Sequence, residues 1–326
     1  MAAHTASTKN DSTWPRTLSS VTGPYPTAKV EGAALGMGEV GPANVALHRS
    51  GILPPDLMTG LTLYLIARQP RREAPPDSRE PHAENGKRGA PGVSGSIWVR
   101  ERAIYHRPIP STDAFHVDGA QIGRHIRKGR RYASTWSKTV DSAGRLAGTN
   151  RTTGLVSYRV DNSLKDRVEG QGPDETPDLG ADWTHAQDNP HLRELSDARV
   201  GQVLGGDSFV VSLAMMAARD TDNPDNPIHS DPASARAAGL KKPIAGGSHV
   251  QAFALELLMA RFGPQVLLHG AYVDCRWKRP TEAEDAITPR AEVIEVRADR
   301  VAFSLEVRHE TGPIAMVGSV VIPRPT

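Results

Sequence analysis

Gly246-Gly247-Ser-His-Val-Gln-Ala-Phe-Ala-Leu-Glu-Leu-Leu-Met-Ala-Arg-Phe262-Gly263-Pro264 is a long apolar stretch, entered through paired glycines and stopped by Gly-Pro. The spacing and the stop predict a helix over His249–Phe262. Only His249, Gln251, Glu256 and Arg261 interrupt its apolar character. A helix that is apolar nearly all round belongs inside a fold rather than on its surface.

A second stretch repeats it. Leu57 to Arg68, entered through Pro54-Pro55, ends in Leu65-Ile-Ala-Arg68, matching Leu258-Met-Ala-Arg261. Each helix leads to a strand closing in Arg-Pro: Ile104-Tyr-His-Arg107-Pro108 and Cys275-Arg-Trp-Lys-Arg279-Pro280. In both, an aspartate follows the arginine by six residues, at Asp113 and Asp285. Arg107 lies 39 residues after Arg68, whereas Arg279 lies 18 after Arg261. A Pro-rich, polar stretch at 70–95 has about the length of that difference and reads as a disordered insertion.

Strand-like segments follow each Asp-Ala pair. In the second copy they are Ala291–Ala298, Val301–Val307 and Ile314–Ile322, with Val301, Phe303, Leu305 and Val307 alternating as in a half-buried strand. Arg131–Val140 and Gly154–Val160 take that part in the first. The expected class is α+β, each half a long helix wrapped by a curved antiparallel sheet. Residues 1–20 read as a flexible tail, 21–161 as the first half, 162–195 as an acidic linker and 196–326 as the second half.

Bulk properties exclude several classes. The formal charge of +2 gives no global pull toward nucleic acid. A lone cysteine, Cys275, excludes an internal disulfide, fits a reducing compartment and is expected as a buried packing residue. Met1–Trp14 is polar and lacks the apolar core of a secretory signal, and no apolar run is long enough to span a bilayer. A cytoplasmic location is expected. No Gly-x-Ser-x-Gly elbow, phosphate loop, dinucleotide fingerprint or metal-ligand spacing appears; His106, His116 and His125 are scattered.

The candidate chemistry lies in Asp220-Thr-Asp-Asn-Pro-Asp-Asn-Pro-Ile-His-Ser-Asp-Pro232. It sets a histidine, His229, among carboxylates in a turn. Asp231-Pro232 reads as a helix cap with proline at the first position, for a helix over Ala233–Ala238. Pro243-Ile244-Ala245-Gly246-Gly247 then opens the buried helix. A histidine near carboxylates, facing backbone N–H groups at a helix start, suits proton transfer on a carbonyl compound.

Asn226-Pro-Ile-His229-Ser-Asp231-Pro, with Ala235, Gly239 and Pro243-Ile244 behind it, resembles the signature of the MaoC-like dehydratases, or (R)-specific enoyl-CoA hydratases. The resemblance covers roughly 196–324, and more weakly 20–160 through Arg107-Pro108 and the following hairpin. It implies a tandem, or double, hotdog fold. It also implies a hydro-lyase that hydrates an enoyl thioester or dehydrates a 3-hydroxyacyl thioester, carried on coenzyme A or a carrier protein. Neither metal nor redox cofactor is called for, and no nucleic acid or membrane. A homodimer of double-hotdog chains is compatible with it.

Carried over position by position, His229 matches the catalytic histidine and Gly247 the glycine whose N–H faces the thioester oxygen. The resemblance implies a substrate-binding surround of Asn226, Asp225, Gly246 and Ser248. Two positions depart from the pattern. Pro224 stands where the acid is expected, so a two-residue insertion makes Asp222 its equivalent, with Asp225 second and Asp220 close by. Gly246 replaces a histidine. The first half offers only Asn44-Val-Ala-Leu-His48 in place of the motif and is expected to be non-catalytic. A repurposed enzyme acting on a polyketide-like intermediate (a cyclase, isomerase or dehydratase) and a non-catalytic acyl-binding subunit are the competing readings. The basic run Arg124–Arg131 reads as an exposed hairpin turn, with a role toward acidic carriers as the sharper alternative.

Overall fold

The computed structural model describes residues 15–67, 97–156, 160–171, 195–221 and 227–324; of 62–67 only the backbone is described. The expected insertion at 70–95 and most of the expected linker lie outside these residues.

The first half opens with the short strands β1 (Arg16–Thr17) and β2 (Val21–Pro24). Helices α1 (Thr27–Met37), α2 (Pro42–Arg49) and α3 (Pro55–Ala67) follow. Its sheet is β3 (Ile97–Tyr105), β4 (Ala114–Arg127), β5 (Arg130–Asp141) and β6 (Leu146–Leu155), with β7 (Arg167–Gly170) alongside β4. The second half has β8 (Val203–Gly205), β9 (Phe209–Val211), α4 (Leu213–Arg219), α5 (Pro232–Ala237) and α6 (Gly247–Phe262). Its sheet is β10 (Ala271–Trp277), β11 (Asp285–Val296), β12 (Arg300–His309) and β13 (Ile314–Pro323).

The strands form one antiparallel sheet in the order β1-β4-β5-β6-β3-β10-β13-β12-β11-β8. Read from the centre, β3-β6-β5-β4 mirrors β10-β13-β12-β11, so the duplication seen in the sequence is a duplication of topology. The halves join where β3 pairs antiparallel with β10, Tyr105 opposite Ala271 and Arg100 opposite Arg276. This is the double hotdog layout.

Helix α6 starts at Gly247 and ends at Gly263, whose φ of 103° is open to glycine but strained for other residues. Leu255, Leu258, Met259 and Phe262 are fully buried, and Phe262 packs on Phe303 of β12 with ring centroids 5.6 Å apart. Each such side chain contributes about 1.5–3 kcal/mol by leaving water. Helix α3 lies against α6 and covers the first sheet with Leu57, Met58 and Leu61.

The polar residues that interrupt α6 tie it to the first half and to the central strands. His249 Nε2 donates to the Gly36 carbonyl of α1 at 2.8 Å. The Glu256 carboxylate accepts from the N–H groups of Ala43 (2.6 Å) and Asn44 (2.9 Å) in the first turn of α2. It thereby satisfies donors that a helix start leaves open. In return Asp56, in the first turn of α3, accepts from Asn44 and pairs with Arg219 at the end of α4. Helices α1 and α4 cross closely at Gly32 and Gly36. A Cβ on Gly32 would strike the Ala218 carbonyl oxygen, and one on Gly36 would lie 2.8 Å from Arg219 Cβ.

Two expectations shift. The strand expected at Gly154–Val160 is instead β6, at Leu146–Leu155. Its middle is Thr149-Asn-Arg-Thr-Thr153, and because Asn150 to Thr153 are buried, no apolar alternation marks it. Arg16–Thr17 and Arg167–Gly170, in stretches expected as tail and linker, each pair with the long β4. The basic run is a β4–β5 hairpin, Arg127 opposite Arg130, with Lys128 and Gly129 both at positive φ. Cys275 is buried. Among the described residues no helix is long and apolar enough to cross a membrane.

Candidate active site

The site is built around the backbone of Pro243–Gly246. On one side lies the short 3₁₀ turn Pro227–His229; on the other, the loop Thr281–Ala283 that follows Arg279-Pro280. Ile244 N–H donates to the Ile228 carbonyl at 3.3 Å, and Ala245 N–H to the Thr281 carbonyl at 2.8 Å. Ala283 N–H returns to the Pro243 carbonyl at 2.9 Å. Ile228 and Ile244 are buried and pin both sides. This explains the Pro-Ile pair physically: the segment is a strut between the histidine turn and the strand end.

His229 is held by that strut. Its Nδ1 lies 2.7 Å from the Ile244 carbonyl oxygen. A carbonyl can only accept, so Nδ1 carries the proton and, in the neutral ring, Nε2 is the acceptor. That tautomer is the one a general base at Nε2 needs. The ring sits beside the helix entrance, with Cε1 4.0 Å from where a Cβ on Gly246 would be. A larger residue at 246 would stand against the imidazole.

Behind the turn, Asp231 caps α5 as expected, accepting from Ala233 N–H (3.1 Å) and Ser234 N–H (2.8 Å), with Pro232 at the first position. Asp220, at the end of α4, accepts from Ser230 Oγ at 3.1 Å, next to His229 in the chain. Asp222, Asp225 and Asn226 lie outside the described residues.

Gly246 precedes α6 in an extended conformation, with no side chain capping the helix. The N–H groups of His249 and Val250 turn to the Gly246 carbonyl. Those of Gly247 and Ser248 have no acceptor among the described residues. They form the positive end of the helix dipole beside His229.

Two tryptophans that the sequence did not single out flank this start. A Cβ on Gly247 would lie 3.0 Å from Trp98 Cβ and 3.2 Å from Trp277 Cε2. The two indoles meet edge to face with centroids 5.6 Å apart, and Trp277 Nε1 donates to the Gly247 carbonyl at 3.1 Å. Trp98 comes from the first half, so the helix start is walled by both halves. Their only signal in the sequence is Trp277 within the Arg-Pro strand; Trp98 follows directly on the expected insertion.

Two residues on from Gly247, His249 is buried against Phe253, with centroids 4.7 Å apart. Burial first, then the nearby Arg219 charge, push its pKa from 6.5 down to about 3, so it is a neutral structural histidine. Among the described residues no group of His, Cys, Asp or Glu could hold a metal ion.

Residues 219–311 match the MaoC-like domain family, so the chain carries a MaoC-like domain that includes His229 and the Gly247 helix start. No curated protein matches by sequence. A solved structure described as a MaoC-like dehydratase is 16% identical, with a TM-score of 0.62 over 94% of this chain and 98% of that one. The peroxisomal multifunctional enzyme type 2 of Drosophila melanogaster is 16% identical with a TM-score of 0.61; the match covers 94% of this chain and 48% of that enzyme. A Mycobacterium tuberculosis protein described as having a double hotdog fold is 13% identical, with a TM-score of 0.54 over 93% and 94% of the two chains. At these identities the likeness is one of fold.

Proposed function

We propose that the protein is a hydro-lyase acting on acyl thioesters, hydrating an enoyl thioester or dehydrating a 3-hydroxyacyl thioester on coenzyme A or a carrier protein. The observation that carries this reading is the pairing of His229, fixed in its Nδ1–H tautomer, with the open N–H groups of Gly247 and Ser248. In hydration the thioester oxygen gains negative charge as water adds at C3. A preorganised N–H at a helix start stabilises that charge. His229 Nε2 exchanges protons with the water and the α-carbon, together with a carboxylate for which Asp222 is the first candidate and Asp225 the second. Gly246 leaves open the space beside the imidazole where the thioester would lie. The first half completes the pseudo-dimer and contributes Trp98 to the wall, without an acid–base group of its own. Two such chains can pair as a homodimer.

The test follows the ultraviolet absorbance of the conjugated thioester with enoyl-CoAs of several lengths. Wild type should bleach the absorbance. His229→Ala should lower kcat by about 10²–10⁴, the usual contribution of a positioned acid–base group. Full activity in His229→Ala, or no turnover at any chain length, overturns the reading. Unchanged thioester binding without turnover would favour the acyl-binding subunit.

A further inference from the structure

The basic hairpin between β4 and β5 is a charged feature that the proposed chemistry leaves unused. Arg124, Arg127 and Lys128 are exposed, and Arg130 and Arg131 are half-buried. Partial burial first, then the charge of Arg16 on β1, lower the Arg124 pKa from its usual value. Lys165 and Arg167, where the chain returns past the hairpin, are exposed as well. Three carboxylates accompany these eight cations on that returning segment, and each has a partner. Asp161 accepts from Ser163 Oγ, Asp166 from the Lys128 N–H at 2.8 Å, and Glu169 pairs with Arg167 at 3.2 Å. The whole chain carries only +2, so positive charge is concentrated here and the rest of the chain is net acidic.

The hairpin presents its cations on every side. Arg131 is opposite Ile126, two residues from Arg124, so Arg124 and Arg131 share one face. Arg127 and Arg130 pair on the other face, and Lys128 stands at the tip. The ribbon is held in one shape. His125 and Tyr132 stack across it with centroids 4.5 Å apart and planes 3° from parallel, and the Asp161 N–H donates to the Gly129 carbonyl at 2.9 Å. The cations thus cover a knob rather than line a cleft. Small-molecule sites are concave, whereas a knob of one sign suits a protein surface of the opposite sign.

The knob stands at the thioester end of the sheet. Trp98, whose Cβ lies against Gly247, is opposite Gly154; Gly154 is opposite Ala133, and Ala133 is opposite Arg124. At about 4.8 Å per strand and about 3.3 Å per residue, Arg131 lies about 12 Å from Trp98, Arg124 and Arg130 about 14 Å, and Arg127 about 17 Å. A phosphopantetheine arm has about thirteen bonds from sulfur to phosphorus, as many as about four residues of extended chain, and spans about 15 Å. With its thioester at Gly247, the phosphate end of such an arm reaches the knob, and whatever bears the arm rests on it.

We propose that the β4–β5 hairpin is the docking surface for an acidic acyl carrier protein that delivers the thioester to Gly247. This rests on the hydro-lyase reading, with Gly247 as the thioester end. The test presents one hexenoyl group to the full-length protein on three carriers: pantetheine, coenzyme A and an acidic acyl carrier protein of fatty acid synthesis. Wild type should hydrate the carrier-protein thioester with a kcat/KM at least tenfold above that for the coenzyme A thioester, and the advantage should shrink as salt screens the contact. Arg127→Glu/Arg130→Glu should lower kcat/KM for the carrier-protein thioester at least tenfold. Unchanged turnover of hexenoyl-pantetheine in the same variant shows that fold and site are intact. Arg127→Gln/Lys128→Gln, at two exposed positions, should give a smaller loss of the same kind. Equal kcat/KM on coenzyme A and carrier protein, an advantage insensitive to salt, or one unchanged by charge reversal overturns the proposal. Binding of the saturated hexanoyl carrier protein, followed by fluorescence anisotropy, is read apart from turnover. Binding that weakens with salt and with charge reversal, without hydration of any thioester, would keep this proposal and remove the hydro-lyase reading. Hydration of the two small thioesters without carrier-protein binding would do the reverse.

Discussion

The two buried helices begin differently, and the difference bears on which half suits the proposed chemistry. Counted from their first helical residues, Pro55 and Asp56 stand where α6 has Gly247 and Ser248. Proline has no N–H, so the first helix start offers no donor at the position of Gly247, although Asp56 keeps the one at the position of Ser248. Both helices keep the same first hydrogen bonds: Leu57 and Met58 turn back to Pro54, as His249 and Val250 turn back to Gly246. A polar residue in the first turn of each reaches into the other half, Asp56 to Arg219 and His249 to Gly36. The duplicated frame is thus retained while the residues proposed for catalysis lie in the second copy.

The sharpest way to break the contrast is to give α6 the start of α3. Gly246 has φ −60° and ψ 148°, which accommodates a following proline, and proline is tolerated at the first helical position. Gly247→Pro and Gly247→Ala place the same Cβ against Trp98, but only the first removes the N–H. The expected outcome is a kcat in the proline variant about 10²–10³ below that of the alanine variant, by enoyl-CoA hydration. Equal rates would mean that the Gly247 N–H carries no charge in the reaction.

A second variant strikes the symmetric tie. Asp56→Ala leaves Arg219 without its buried partner, and the expected loss is about 3–5 kcal/mol in urea unfolding. A loss below 1 kcal/mol would mean that the crossing contacts are incidental to holding the halves together.

The third uses pH. Glu101 and Glu256 have folded pKa values of about 8 and about 7, raised by burial from 4.5, so the native state holds protons that the unfolded chain has released. Their contribution is fully present below about pH 4.5 and is lost as pH rises through 7 and 8. His249, depressed to about 3, works in the opposite sense but only below its ordinary 6.5. Between pH 6.5 and 8 the glutamates stand alone, and Glu101 by itself should cost about 2 kcal/mol across that interval. Glu101→Gln should flatten the slope. An unchanged slope would show that Glu101 is already ionised in the fold.

The smallest effect is expected at the first helix start. Pro54→Gly should leave hydration unchanged and lower stability by about 0.4–1 kcal/mol, chiefly by freeing the unfolded chain. A change in kcat would show that the first half does more than scaffold.

The fold was legible where apolar patterning is strong. Both helices and the second-half strands follow from it, whereas the hairpin at Lys128-Gly129 and the Asp231 cap follow from local turn and capping residues. The histidine turn and the helix start are local features, and the sequence places both. What escaped reading is set by contacts between distant segments. β6 lacks alternation because polar side chains fill its buried positions, Asn150 bonding Glu101 and Thr153 bonding Ser134. The polar interruptions in α6 look like defects in a buried helix until their partners in α1, α2 and β10 are seen. Trp98 reaches Gly247 only through the pairing of the halves. The acid position turns on the Asp222–Asn226 stretch, which lies outside the described residues and where local pattern offers several carboxylates.

The central β3–β10 pairing also has a consequence in time. During synthesis Tyr105 emerges roughly 170 residues ahead of Ala271, an interval of roughly 10–30 s at ordinary elongation rates. Throughout it, the nascent first half shows the ribosome's surroundings an unpaired strand edge. Arg100, Glu101 and Arg102 lie in the middle of that edge, and charges there discourage pairing with other chains. Glu101 and Arg102, which the finished fold must bury at a cost, and the half-buried Arg100 therefore guard the half-made molecule until its own partner strand arrives.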